Sequence, residues 1–162
     1  MLSVISEDEG IQLSNFEILR ASSWLHECGK FINFPRYHRH SMYLIMNSSL
    51  MGFSQRERQM IGLIARFQRK GTASTENYDC QGLNESDLMR VKLLSGILRI
   101  GAAANRTRSG FIKGVEIKID NDEIVFEIVS NGSNSSDVDY VNILREKGKL
   151  EKILGMRIKV DN

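Results

Sequence analysis

Cysteine, histidine and proline are scarce in this chain, and the shortages exclude several classes of protein. The two cysteines, Cys28 and Cys80, lie far apart and form no CxxC pair, which argues against a structural zinc site or a disulfide framework. No apolar run approaches the roughly 18 residues that a membrane span requires. The acidic start, MLSVISEDEG, lacks the basic and then apolar layout of a signal peptide. We therefore expect a reduced, cytoplasmic protein without a membrane span.

The remaining composition is that of an ordinary globular protein. The chain has 162 residues, of which 41% are hydrophobic and 26% are charged, and these fractions exclude a mostly disordered chain. This length predicts one domain, or two small ones that pack on each other.

Charge is strongly segregated along the chain, although the net charge is only +2. Residues 36–70 hold seven basic residues against one acid, Glu57, and residues 90–113 hold six basic residues and no acid. Solvated surfaces usually mix both signs. Two such basic blocks therefore predict a polyanionic partner, with plain solvation of helix surfaces as the alternative.

The first two-thirds of the chain show helical patterns. Capping boxes at Ser14–Glu17 and Ser54–Glu57 predict the starts of two helices. A shorter helix is predicted from about His40 to Asn47, and a fourth is capped by Asn84 or Ser86. The residues expected to form the buried stripes of the third and fourth helices are Met60, Leu63, Ile64, Phe67, Leu93, Leu94, Ile97, Leu98 and Ile100.

The pattern then changes from helical to alternating, as is typical of strands. Val115, Ile117 and Ile119 alternate with charged residues, and Asn121–Asp122 predicts the turn of a hairpin. A second strand, a helix over 138–152 and a last strand, MRIKV, follow.

These patterns together predict an α+β fold. We expect a flexible N-terminal tail over 1–13, a mainly α-helical domain over 14–108, and a small ββαβ domain over 111–162.

No self-contained catalytic motif is visible in the sequence. It contains no GxSxG elbow and no Walker-type phosphate loop, and His26 and Cys28 point in different directions if they share a helix. A metal site would have to join His26 and Glu27 with His38 and His40. A divalent ion needs more carboxylates nearby, so a hydrogen-bonded His26 and two anion-contacting histidines are favoured.

Anion binding is the chemistry that the basic blocks favour. Residues 36–40 fall near the start of a predicted helix, where N–H groups and the helix dipole favour negative charge. Arginine forks match phosphate oxygens, while lysine acts as a point charge. The candidate residues for binding a phosphate-rich anion are Arg36, His38, Arg39, His40, Arg66, Arg69, Lys70, Arg99 and Arg106.

Three segments carry a family resemblance: WLHECGKFINFPRYHRHSMYLIMNSSLMGFS, LIARFQRKG and LLSGILRIGAAANRTR. They resemble the C-terminal half of the exopolyphosphatase/guanosine pentaphosphate phosphatase family, and the ββαβ ending fits that family's small last domain. The resemblance covers essentially the whole chain. It implies an HD-like helical domain that begins after its usual first helix. It also implies that hydrolysis, assisted by Mg²⁺, takes place in an N-terminal actin-like half that this sequence does not contain.

The resemblance also implies a degenerate HD motif. Active HD phosphohydrolases carry His-Asp where this chain has His26 and Glu27. Metal-binding versions carry a histidine about where Gln68 stands and a late aspartate about where Ala102 stands. We therefore expect a module that holds no metal or other cofactor of its own.

These observations favour a module that binds polyphosphate, works beside its own catalytic half and supports a homodimer. The alternatives are an active HD-type metal-dependent phosphohydrolase, a nucleic-acid-binding module, and a purely structural dimerisation piece. In the structural alternative, Phe31, Ile32 and Phe34 are either an exposed contact or an anchor for their loop. Nucleic acid is less favoured because the aromatic residues cluster in one loop and form no platform for stacked bases.

Overall fold

The computed structural model describes residues 9–120, 123–131 and 137–161, and side chains within these ranges except at 9–14, 120 and 137. The chain divides into two compact units, Met1–Leu98 and Arg99–Asn162. The division falls inside a helix, whereas the sequence placed the domain boundary at 108–111. Residues 1–8 of the expected tail lie outside the described residues.

The first unit is helical. Its elements are α1 (Glu9–Leu25), a 3-10 turn (Cys28–Phe31), α2 (Tyr37–Met46), α3 (Gln55–Phe67), a second 3-10 turn (Tyr78–Cys80) and α4 (Glu85–Ala104), which continues into the second unit. None of the described helices is long and apolar enough to cross a bilayer.

Of three helix starts predicted from capping residues, two are confirmed and one is wrong. The capping box of α3 is confirmed, because the Ser54 hydroxyl accepts from the Glu57 N–H and the Glu57 carboxylate accepts from the Ser54 N–H at 2.8 Å. Asn84 caps α4 by accepting from the Asp87 N–H at 2.9 Å. The start predicted at Ser14 is wrong: α1 begins at Glu9, because a capping motif does not stop a helix that arrives from upstream.

The core of the first unit is built around α3. Its predicted apolar stripe is confirmed, and Ile61 and Ala65 are buried as well. Leu94 and Leu98 of α4 pack into the same cluster, as do Ile18 of α1 and Ile45 of α2. Helix α3 is therefore covered on several sides. This is why apolar residues occupy much of its circumference.

The second unit contains the predicted ββαβ succession. Its elements are β1 (Ile112–Asp120), β2 (Glu123–Ser130), α5 (Asp137–Leu154) and β3 (Arg157–Asp161). The strand order is β1-β2-β3, with β1 antiparallel and β3 parallel to β2. The α+β fold class is confirmed. The predicted turn at 121–122 and most of the loop before α5 lie outside the described residues.

Candidate anion-binding site

The N-terminal end of α2 lies against the Cys28–Phe31 turn with almost no space between the two backbones. An added Cβ at Gly29 would stand 2.2 Å from the Tyr37 carbonyl oxygen and 2.3 Å from the Ser41 nitrogen. The Gly29 N–H donates to the Ser41 hydroxyl at 2.9 Å, and that hydroxyl donates to the His26 carbonyl at 2.8 Å. This close approach fixes where the first turn of α2 presents its side chains.

The first turn of α2 and the end of α3 place basic side chains side by side. Helix α2 carries His38 and Arg39, and α3 packs against it and carries Arg66, with Arg69 and Lys70 just beyond its end. Arg39, Arg69 and Lys70 are exposed. Together with Lys30, these residues are called the basic cluster below. Five of the nine candidate residues therefore meet in one place.

Tyr37 links the two sides of the basic cluster. Its ring lies 5.0 Å from the Lys30 Nζ and 5.8 Å from the Arg69 guanidinium carbon. A buried aromatic face that holds two cations keeps both side chains near α2 at little cost in ordering. The sequence did not single out Lys30; its position directly before the aromatic loop was the available signal.

Two carboxylates pair with members of the basic cluster. Glu27 pairs with Lys30, and Asp79 pairs with Arg66. The cluster itself contributes five cations, Lys30, Arg39, Arg66, Arg69 and Lys70. Arg66 is half-buried and is fixed by its ion pair with Asp79.

His38 lies among the cations of the basic cluster. Burial lowers this pKa below its ordinary 6.5, and the positive charges of Arg39, Arg69, Arg66 and Lys70 lower it further. The pKa of Arg66 is also lowered, first by burial and then by Arg39. A neutral His38 at neutral pH follows, held among charges that an anion would neutralise.

A pH dependence of stability follows from His38. Because its pKa is lower in the folded chain than the unfolded value of 6.5, the unfolded chain takes up this proton first, and the free energy of unfolding falls as the pH drops below that value. Denaturant unfolding at about pH 7.5 and about pH 5.5 should therefore show a larger loss for the wild-type chain than for His38→Asn. Equal losses in both chains would contradict the placement of His38.

Arg36 and His40 lie close to the same helix start. Arg36 precedes α2 with a left-handed backbone (φ 59°), and His40 lies near the start of that helix. The N–H groups of Tyr37 and Arg39 already donate to the carbonyl oxygens of Phe34 and Arg36. The anion expected at this helix start would consequently be held mainly by side chains.

Arg99 and Arg106 belong to the second unit, where both approach Glu146. The buried Arg99 lies 3.4 Å from one carboxylate oxygen, and Arg106 lies 3.5 Å from the other and donates to Asn142 at 3.2 Å. Each of these arginines therefore has a carboxylate partner inside its own unit.

His26 and Glu27 have the character of structural residues. The Nδ1 atom of His26 lies 2.7 Å from the Ser23 carbonyl oxygen, and Glu27 is engaged by Lys30. Gln68, where a metal-binding version has a histidine, is buried. Among the described residues no three His, Cys, Asp or Glu side chains form a cluster fit for a metal. These donors do not suit the Mg²⁺ expected for the hydrolytic reaction.

Comparison with known proteins identifies the family. The sequence model described as Ppx/GppA phosphatase, domain III, matches residues 4–139, which is most of the chain. The chain belongs to the Ppx/GppA phosphatase family. The matched residues of this Ppx/GppA member include the whole basic cluster, Arg99 and Arg106.

Three curated relatives of this Ppx/GppA member are each named guanosine-5'-triphosphate,3'-diphosphate pyrophosphatase. The protein of Pseudoalteromonas translucida is 39% identical over 57 residues, 35% of this chain and 12% of the relative. That of Vibrio vulnificus is 34% identical over 95 residues, 58% of this chain and 18% of the relative. That of Photobacterium profundum is 30% identical over 99 residues, 60% of this chain and 20% of the relative. The chain thus matches no more than a fifth of the length of these relatives.

Proposed function

We propose that this phosphatase-family module binds polyphosphate, or a similarly phosphate-rich anion, at the basic cluster. The observation that carries the proposal is the meeting of basic side chains from two segments: Tyr37 of α2 lies against both Lys30 and Arg69, and α3, which carries Arg66, packs on α2. Phosphate oxygens are the natural counter-charge for such a group, because arginine forks bind them through two parallel hydrogen bonds.

The module would hold and position a polymer, and would not cut it. Arg66 is fixed by Asp79, whereas Arg39 and Lys70 are exposed and can follow a flexible chain of phosphates. In this proposal, the release of terminal orthophosphate takes place in an N-terminal actin-like half, which would supply the catalytic residues and the Mg²⁺. The module would also support a homodimer, and we expect a cytoplasmic location.

Nucleic acid is the alternative ligand, because exposed aromatic side chains beside a basic cluster could stack on bases. Phe31 is 96% exposed, and Ile32 and Phe34 are exposed as well, which supports the exposed-contact alternative over an anchor for their loop. The rings of Phe34 and Tyr37 lie 6.1 Å apart and are tilted by 39°, which is a poor platform for parallel stacking of bases.

The first test is equilibrium binding of long-chain polyphosphate to the chain at two salt concentrations. Because binding releases counterions, affinity should fall by at least roughly tenfold between about 50 and about 200 mM salt. Single-stranded oligothymidylate and guanosine pentaphosphate serve as competitors at equal total charge. Added polyphosphate should displace the bound polymer more effectively than the DNA does. No binding at the lower salt concentration, or equal competition by DNA, would contradict a polyphosphate site.

The active HD alternative predicts a different result. The purified chain would then contain about one equivalent of manganese, iron or zinc and would release phosphate without any other domain. Metal analysis of the purified chain, with a phosphate-release assay on polyphosphate, separates this alternative from the binding module.

A further inference from the structure

Strand β1 forms one edge of the sheet in the described part of the chain, where β2 is its one ladder partner. Asp120 and Glu123 are the last pair of the β1–β2 ladder, separated by only two residues, so their N–H and C=O groups face each other across the hairpin. Along a strand, the N–H and C=O groups of successive residues point alternately to its two sides. Those of Val115, Ile117 and Ile119 therefore point away from β2, toward the open edge.

The apolar face of the sheet becomes more exposed toward this edge. Ile124 and Phe126 of β2 and Ile158 of β3 are buried, and α5 packs against β3. On β1, however, Val115 and Ile117 are only half-buried and Ile119 is 43% exposed. The described elements thus leave the β1 part of this apolar face incompletely covered.

The opposite face of β1 has an unbalanced charge. Glu116 stands directly opposite Glu127 in the hairpin, and Lys118 pairs with Glu127 at 2.6 Å. Like charges directly opposite each other destabilise a sheet. A positive charge on the open side of Glu116 would remove this conflict.

We propose that β1 pairs antiparallel with β1 of a second copy, about a two-fold axis at Ile117. In this register Glu116 of each copy faces Lys118 of the other, and Val115 faces Ile119 on the apolar side. The two three-stranded sheets then form one six-stranded sheet, and the exposed apolar edge of each copy is covered by the other.

Neighbouring registers are less favourable. An axis at Glu116 brings the two copies of that carboxylate together, and an axis at Lys118 does the same for the ammonium groups. A shift by one residue places charged side chains on the apolar face. The sequence IKGVEIKID is therefore self-complementary about Ile117 and poorly complementary about its neighbours.

The inference rests on the dimerisation part of the proposed function and assigns its surface. The basic cluster lies in the other unit, and polyphosphate binding is measured separately from the oligomeric state. A negative result for dimerisation through β1 can thus be distinguished from a negative result for polyphosphate binding.

Cross-linking tests the axis directly. In Ile117→Cys the two introduced thiols would lie on opposed residues with Cα atoms about 5.5 Å apart, within reach of a disulfide. In the control Ile119→Cys the same atoms would be about 14 Å apart, because they are offset by four residues along the strand. Oxidation should give covalent dimers of the first variant well above the level of the control and of the wild-type chain. Equal yields in both variants would overturn the interface.

A charge exchange tests the register while leaving the fold of each copy intact. Glu116→Lys places a cation opposite Glu127 within the hairpin, yet opposite Lys118 of the second copy. The dimer dissociation constant, measured by sedimentation equilibrium, should rise roughly tenfold. The double variant Glu116→Lys/Lys118→Glu should restore the dimer. A dimer that is indifferent to these exchanges, or a chain that stays monomeric throughout, would overturn the proposal; the monomeric outcome would also remove dimerisation from the proposed function.

Discussion

Gly29→Ala is expected to destabilise the first unit by about 3 kcal/mol, the largest effect of any single change considered for this chain. The added Cβ would lie 2.2 and 2.3 Å from backbone atoms of α2, and backbone cannot move aside as a flexible side chain does. Relief requires α2 to shift away from the turn, which would also break the hydrogen bond from the Gly29 N–H to Ser41. Denaturant unfolding followed by circular dichroism measures the loss.

Gly101→Ala is the matched control for that change. Gly101 lies in α4, and nothing stands within 4 Å of its added Cβ. Alanine at an open helical position should stabilise the chain by up to about 1 kcal/mol. The two variants carry the same chemical change with opposite expected signs. A neutral Gly29→Ala variant would show that α2 does not pack on the turn as closely as described.

The triple variant Arg39→Ala/Arg69→Ala/Lys70→Ala is expected to weaken polyphosphate binding by at least roughly tenfold at low salt. These three residues are the exposed cations of the basic cluster, so their removal takes charge from the site without emptying the core. The slope of log affinity against log salt should also fall by about 2, since each phosphate contact contributes roughly 0.7. Titration calorimetry at several salt concentrations measures both quantities.

A second triple variant controls for net charge. Arg145, Lys149 and Lys152 are exposed on α5, and replacing all three with alanine removes the same charge from the other unit. Lys147 is unsuitable for this purpose because it donates to the Ile158 carbonyl and to Glu151, and so holds β3 in place. Equal losses of affinity in the two triple variants would show that the polymer responds to overall charge and that the basic cluster is not a localised site.

The elements that the sequence predicted well are those whose signals are local. The capping box at Ser54 and the alternation of Val115, Ile117 and Ile119 depend on residues a few positions apart. The start of α1 was wrong for the converse reason. Ser14 fits a capping motif, but whether a helix begins there depends on the residues upstream.

The site was predicted only in part, because charge patterns do not show which basic residues meet. The two segments of the basic cluster are joined by the packing of α2 on α3, and the charge pattern identified most of the residues without their pairing. Arg99 was grouped with them by its place in an acid-free stretch. The structure places it beside Glu146, a residue 47 positions away that no local pattern connects to it.

The burial of Cys80 in the core has a consequence for redox chemistry. Burial raises the pKa of its thiol, despite the nearby Arg66, so the reactive thiolate is scarce at neutral pH. Oxidants and alkylating reagents should reach the half-buried Cys28 first. We therefore expect mild oxidation to modify Cys28 and to leave the core of the first unit intact.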